Sequence, residues 1–218
     1  MRHDKVLVLA SGGLDSAALL GWALKRYRKV QPVYCRFGLR WERAELHWLK
    51  RFLAAVGCPA LQPLAVLDLP AKTLYAGHWS LTGKGVPGYR SRNEAVYLPG
   101  RNALLLSQAA VFGAQRRTTE ILVGTLAGNP FRDATPIFFK SLARSLTLAL
   151  GQPVIIRAPF QKMGKEAVLR AAGDLPLHLA FSCLNPRGIR PCGACNKCAE
   201  RDQGTEALAQ KTRDLREI

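Results

Sequence analysis

The run from Lys5 to Ala10 (KVLVLA), followed at once by Ser11-Gly12-Gly13-Leu14-Asp15-Ser16, restricts the fold of this chain more than any other stretch. A short, Val-rich apolar run reads as a buried strand. The glycine pair allows positive φ and a close backbone approach to a ligand. From Asp15 the pattern turns helical, with Leu19, Leu20, Ala23 and Leu24 on one side. Strand, glycine turn and helix together open an α/β sheet, whose ligands bind beyond the carboxyl ends of the strands. The helix start offers unpaired amides and a positive dipole end, which suit a phosphate. Ser11 and Ser16 add hydroxyl donors, and Asp15 either caps the helix or holds Mg²⁺. Taken alone, two glycines between a strand and a helix also fit a plain tight turn.

The same alternation continues along the chain. Strands are expected at Val30–Phe37, Leu64–Leu67, Glu120–Gly124 and Val154–Ala158. Helices are expected at Trp41–Val56, Asn102–Ala114, Thr135–Leu150 and Gly164–Ala172. In the first of these helices Leu46, Leu49, Leu53 and Val56 recur at helical spacing, and Gly57 stops it. Five strands alternating with helices predict a doubly wound parallel sheet with helices on both faces. Residues 70–100 are rich in Gly, Ser, Pro and Tyr without a clean period. That is long for a bare connection, so a functional loop is expected there. Residues 1–175 read as the nucleotide-binding domain and 176–218 as a small C-terminal segment. No run approaches the roughly 18 apolar residues needed to cross a bilayer. The N-terminal apolar stretch is too short for a secretory signal, so the cytoplasm is the simplest location.

Four of the six cysteines lie close together: Cys183, Cys192, Cys195 and Cys198. Two overlapping Cys-x-x-Cys steps let thiolates converge on one ion, and four thiolates suit a closed tetrahedral Zn²⁺ site. In a reducing compartment a metal is a better reading than disulfides. An iron–sulfur cluster and redox or merely buried cysteines stay open as alternatives. Cys35 and Cys58 read as packing residues. The net charge of +17, from 32 Lys plus Arg against 15 Asp plus Glu, favours polyanionic partners and steers phosphorylated or carboxylated small molecules. The basic residues, among them Arg40, Arg43, Lys50, Arg51, Arg116 and Arg117, are scattered rather than clustered. A small molecule is therefore favoured over a nucleic acid.

The six-residue loop matches the signature of the PP-loop ATP pyrophosphatases, and the Gly-Lys-Ser/Thr signature of kinases and GTPases is absent. Further matches are Leu98-Pro99-Gly100-Arg101-Asn102, Ala158-Pro159-Phe160, Gly164-Lys165-Glu166, Phe181-Ser182-Cys183 and the segment Cys192–Cys198. With these the chain resembles the 7-cyano-7-deazaguanine synthase family over nearly its whole length. The resemblance implies an ATP-dependent carbon–nitrogen ligase of queuosine precursor synthesis, which takes 7-carboxy-7-deazaguanine, ATP and ammonia. The carboxylate would be adenylated, ammonia would give the amide, and a second activation would dehydrate the amide to the nitrile. Similar enzymes are often homodimers. Carried onto this sequence, Ala10, Ser11, Gly12, Gly13, Leu14, Asp15, Ser16 and Gly124 would hold ATP, with Asp15 acting through Mg²⁺. Arg101 would pair with phosphate or carboxylate through its planar fork. Lys165 would neutralise charge building on the phosphates. The bland alternatives are that Arg101 and Asn102 merely begin a helix and that Lys165 is solvated.

One segment departs from the family. Where a Gly-Tyr-Pro-Asp-Cys-Arg-like stretch is usual, this chain reads Gly128-Asn129-Pro130-Phe131-Arg132-Asp133-Ala134-Thr135-Pro136, without the cysteine. Here Phe131 would stack on a planar base, Arg132 would meet a carboxylate, and Asp133 would accept from ring N–H groups. Tyr89, Arg90 and Arg92 would close over the site. An ordinary surface loop is the alternative for these residues. The departure keeps another substrate in play, a different carboxylate or a protein-linked acceptor, and the net charge speaks for a second function, that of a PP-loop tRNA-modifying enzyme. A non-catalytic ATP-binding module is disfavoured, because Asp15, Arg101 and Lys165 are all present.

Overall fold

The computed structural model describes residues 3–172 and 174–204. Residues 205–218, the end of the expected C-terminal segment, lie outside the described residues. Among the described residues there are five strands: β1 (His3–Leu9), β2 (Tyr27–Arg36), β3 (Ala65–Asp68), β4 (Glu120–Leu122) and β5 (Ile155–Arg157). They form one parallel sheet in the order β3-β2-β1-β4-β5. This is the doubly wound α/β sheet that the alternation predicts. The helices are α1 (Leu14–Leu24), α2 (Glu42–Val56), α3 (Trp79–Thr82), α4 (Arg101–Ala114), α5 (Pro136–Leu150) and α6 (Lys165–Ala172), and a further helix begins at residue 196.

Two-residue periodicity splits β1 between the two faces of the sheet. Val6 and Val8 point into a core shared with α1, α2 and α6, through residues such as Leu19, Leu20, Phe52 and Val168. Leu7 points into the opposite core, shared with Leu106 of α4 and Phe139 of α5. The chain winds outward from β1 through β2 to β3, then crosses back to β4. A switch point therefore lies between β1 and β4, where such sheets open a crevice.

Several boundaries differ from the expectation. β2 begins at Tyr27 and runs through Pro32. An inner strand tolerates this proline because the neighbouring ladder is interrupted on that side: Gln62 bonds to Val30, and pairing resumes only at Val33–Ala65. The 70–100 stretch is not structureless. It contains α3 and a short 3₁₀ turn at Asn93–Val96, and it buries Ala71, Tyr75, Val96 and Leu98. Nor does the cysteine segment stand apart from the sheet. Cys183, Leu184, Cys195 and Cys198 belong to the same buried cluster as Leu7 and Leu106. Among the described residues no helix is long and apolar enough to cross a membrane.

Candidate active site

The cleft at the switch point is floored by the turn after β1. Gly12 sits at φ +82°, and a Cβ there would lie 3.4 Å from the Glu45 carbonyl oxygen, so the turn is built for glycine. Gly13 caps α1 without a side-chain hydrogen bond, which leaves the first-turn amides available to an anion. Ser16 Oγ donates to the Gly13 carbonyl at 3.0 Å and lies 3.3 Å from Ser11 Oγ. Ala10, Ser11, Gly13, Leu14, Asp15 and Ser16 line the cleft, and Gly124 faces them from the end of β4. Gly12 is turned away, and its carbonyl accepts from the amide of Phe181 at 2.8 Å.

Arg101 and Asn102 reach the cleft from the first turn of α4. Gly100 enters that helix at φ +70°, and Tyr75 Oη donates to the Pro99 carbonyl at 2.9 Å, so the Pro-Gly-Arg-Asn turn is fixed from both sides. Arg101 Nε is buried without a hydrogen-bond partner among the described residues, a donor ready for an incoming acceptor. Lys165 opens α6 and points back across the sheet. Its Nζ lies 2.5 Å from Asp15 Oδ1 and 3.3 Å from Glu200 Oε1. Burial pushes the Asp15 carboxyl above its ordinary value, although Lys165 pulls the other way. The structure thus brings Asp15, Arg101 and Lys165 to one cleft from residues up to 150 positions apart.

The divergent 128–136 stretch divides. Phe131 and Asn129 line the cleft, and Phe131 rests against Tyr97 with ring centroids 5.2 Å apart. Arg132 is exposed and does not line the cleft. Asp133 is buried and already engaged: its Oδ2 accepts from the Asn102 amide at 3.0 Å and its Oδ1 from Asn102 Nδ2 at 3.3 Å. It braces the start of α4 and does not line the cleft. Tyr89, Arg90 and Arg92 are exposed and none lines the cleft, whereas Val96 and Leu98 from the same loop do. Tyr89 Oη instead lies 3.3 Å from Asp202.

Four charged residues and a tyrosine of the cleft were not anticipated. Glu45 and Tyr34 lie at its foot, hydrogen-bonded at 2.7 Å. Burial pushes Glu45 up to about 8, with Arg101 and the Tyr34 hydroxyl acting against the rise. A sequence signal existed, since Glu45 begins the apolar stripe continued by Leu49, Phe52 and Val56 on α2. Lys197, Glu200 and Arg201 enter from the last helix, and only the position of Lys197 between two cysteines hinted at a fixed place. Burial alone would raise the Glu200 carboxyl, yet Lys197 and Lys165 hold it below its ordinary value.

The four cysteine sulfurs lie within 4.8 Å of one another. A tetrahedral ion held by thiolates at about 2.3 Å sets sulfur–sulfur edges of about 3.8 Å. The edges here are 3.5 Å for Cys195–Cys198, 3.9 Å for Cys192–Cys198 and 4.0 Å for Cys183–Cys195, which fit a single metal ion. Backbone amides already point at the sulfurs: Leu184 donates to Cys195 Sγ at 3.3 Å and Cys192 to Cys183 Sγ at 3.2 Å. Hydrogen bonding with Cys183 and Cys198 lowers the Cys195 thiol below its ordinary value.

A family model described as queuosine biosynthesis protein QueC matches residues 5–209. The 7-cyano-7-deazaguanine synthase 1 of Desulfitobacterium hafniense is 31% identical over 215 residues, covering 96% of this chain and 95% of its own. The 7-cyano-7-deazaguanine synthase of Leptospira interrogans is 29% identical over 217 residues, covering 93% and 86%. Among solved structures, the U34-tRNA thiolase NcsA of Methanococcus maripaludis superposes with a TM-score of 0.52 over 100% of this chain and 74% of that one. At 13% identity, that likeness concerns the fold alone.

Proposed function

The chain belongs to the QueC family of queuosine biosynthesis proteins, and from that premise we propose that it converts 7-carboxy-7-deazaguanine and ammonia to 7-cyano-7-deazaguanine with ATP. One observation carries the ATP part: the phosphate loop, Asp15, Arg101 and Lys165 meet in a single cleft at the switch point of the sheet. Ala10, Ser11, Gly13, Leu14, Asp15, Ser16 and Gly124 bind the nucleotide, with Gly12 shaping the turn, and the phosphates lie against the first turn of α1. Asp15 would hold Mg²⁺ at those phosphates, and Lys165 and Arg101 offset the charge that develops there.

The substrate carboxylate attacks the α-phosphorus of ATP, a C–O–P bond forms as pyrophosphate leaves, and the acid now carries AMP. Ammonia adds to the acyl carbon, loses a proton and expels AMP, giving the amide. The amide oxygen takes AMP from a second ATP, again releasing pyrophosphate. Loss of that AMP with the remaining nitrogen protons leaves the nitrile. Oxidation states of the cofactors do not change at any step. Phe131, Val96 and Leu98 form an apolar slot for the planar base, and the buried Arg101 Nε is a ready donor to the carboxylate.

The clasp of Cys183, Cys192, Cys195 and Cys198 would hold Zn²⁺, because the short sulfur edges enclose one ion rather than a cube of separate irons. A homodimer and a cytoplasmic location go with this reading. Exposed Ile137 and Leu148, on one side of α5, support the dimer. The alternative of a PP-loop enzyme that adenylates another carboxylate or modifies tRNA rests on the divergent 128–136 stretch and the +17 charge. The test is incubation with ATP, ammonium and 7-carboxy-7-deazaguanine, followed by mass spectrometry. Amide and nitrile should appear with AMP and pyrophosphate. Absence of both products, with ATP consumed on another acid, would end the queuosine reading.

A further inference from the structure

The cysteine clasp touches the phosphate loop at three places. Phe181, two residues before Cys183, donates its amide to the Gly12 carbonyl at 2.8 Å. Lys197, between Cys195 and Cys198, pairs with Glu200, and Glu200 Oε1 lies 3.3 Å from Lys165 Nζ. That same Nζ is 2.5 Å from Asp15. Gly204 then brings the last helix down on α1 so closely that a Cβ there would fall 2.7 Å from Leu14 Cδ1.

Asp15, Lys165, Glu200 and Lys197 thus form a row of alternating charges that sums to zero. The four side chains are only 27–31% exposed, so an unpaired member would carry a real desolvation cost. Mg²⁺ that arrives with the phosphates takes up Asp15, so Lys165 turns from Asp15 to the phosphates and keeps Glu200 as a partner. Glu200 holds Lys165 best when Lys197 holds Glu200, and the backbone of Lys197 is fixed by a cysteine ligand on each side once a metal is bound.

We propose that the clasp is a working part of the nucleotide site: Lys197 and Glu200 are positioning residues for Lys165, so metal binding and nucleotide binding are thermodynamically linked. The inference rests on the reading that ATP occupies the Ser11–Ser16 loop. Linkage is reciprocal, so a nucleotide that tightens the row must also tighten the metal by the same factor.

The experiment measures metal affinity of the full chain by equilibrium competition with a chromogenic chelator. It is done with and without Mg²⁺ and α,β-methylene-ATP, and binding of that analogue is followed separately by calorimetry. Saturating analogue should raise metal affinity about fivefold or more, the usual size of such couplings. Glu200→Gln should bind one metal per chain and still bind the analogue, yet lose the increase. Lys197→Arg, which keeps the charge, should retain it. Unchanged metal affinity in the parent protein with the analogue bound overturns the linkage and leaves the ATP site standing. Failure of the analogue to bind overturns both. An increase that persists in full in Glu200→Gln overturns the role of the charge row and leaves the Phe181–Gly12 and Gly204–Leu14 contacts to couple the sites.

Discussion

Tyr34 donates its hydroxyl proton to Glu45 across 2.7 Å, and both groups are buried where α2 meets the phosphate loop. Burial raises the Glu45 carboxyl from 4.5 to about 8, so the folded protein keeps a proton there that the unfolded chain releases near 4.5. Between those two values the native state binds more protons than the unfolded state. Stability therefore falls as pH rises through that window, and the loss is complete above about 8. Glu45→Gln removes the titration and keeps an acceptor for Tyr34. Relative to the parent, the variant should gain up to about 3–5 kcal/mol between pH 5 and pH 9. Denaturant unfolding at both pH values checks this, and parallel pH profiles for the two proteins would sink it.

Asp15 is one of two carboxylates on Lys165 and the acid expected to act through Mg²⁺ at the phosphates. Asp15→Asn should fold as the parent does, because Lys165 keeps Glu200 as a partner. Turnover should fall roughly 100-fold, the scale on which preorganised charge acts at a reacting group. Production of AMP and pyrophosphate at the parent rate would remove Asp15 from the mechanism.

Cys195 touches two other sulfurs and accepts from the Leu184 amide. Cys195→Ser should carry less than one metal ion per chain by elemental analysis. Metal binding of this kind is coupled to folding, so thermal unfolding should move down with it. Zinc should be the metal found in the parent. Iron with labile sulfide would refute that identity.

Phe131 and Asp133 are neighbours with different tasks. Phe131→Ala opens the slot against Tyr97 and should raise KM for the carboxylate several-fold more than KM for ATP. Asp133→Ala leaves the Asn102 amide without its partner at the start of α4 and should cost about 1–3 kcal/mol of stability. If Asp133→Ala instead raised only KM for the acid, Asp133 would read substrate after all.

The sheet was legible in the sequence because its signals are local. The KVLVLA run, the glycine turn and the 3.6-residue stripe of α2 each declare themselves within a dozen residues. Short β4 and β5 were found for the same reason. The four cysteines were legible too, since their spacing alone brings thiolates together. Less was visible in the 70–100 stretch. Its α3 is only four residues long, and its order comes from burial of Tyr75, Val96 and Leu98 rather than from a period.

The sequence by itself determined the strand–loop–helix unit, the alternation that makes the sheet parallel, and the set of sulfurs. Tertiary structure alone decided that Asp133 props the start of α4, that Glu45 is buried against Tyr34, and that Lys197 and Glu200 face the phosphate loop. Periodicity reports which face of an element is buried but not which distant charge it will meet there. The pairing of Lys165 with Asp15 spans 150 positions, and only the return of α6 across the sheet brings the two charges into contact.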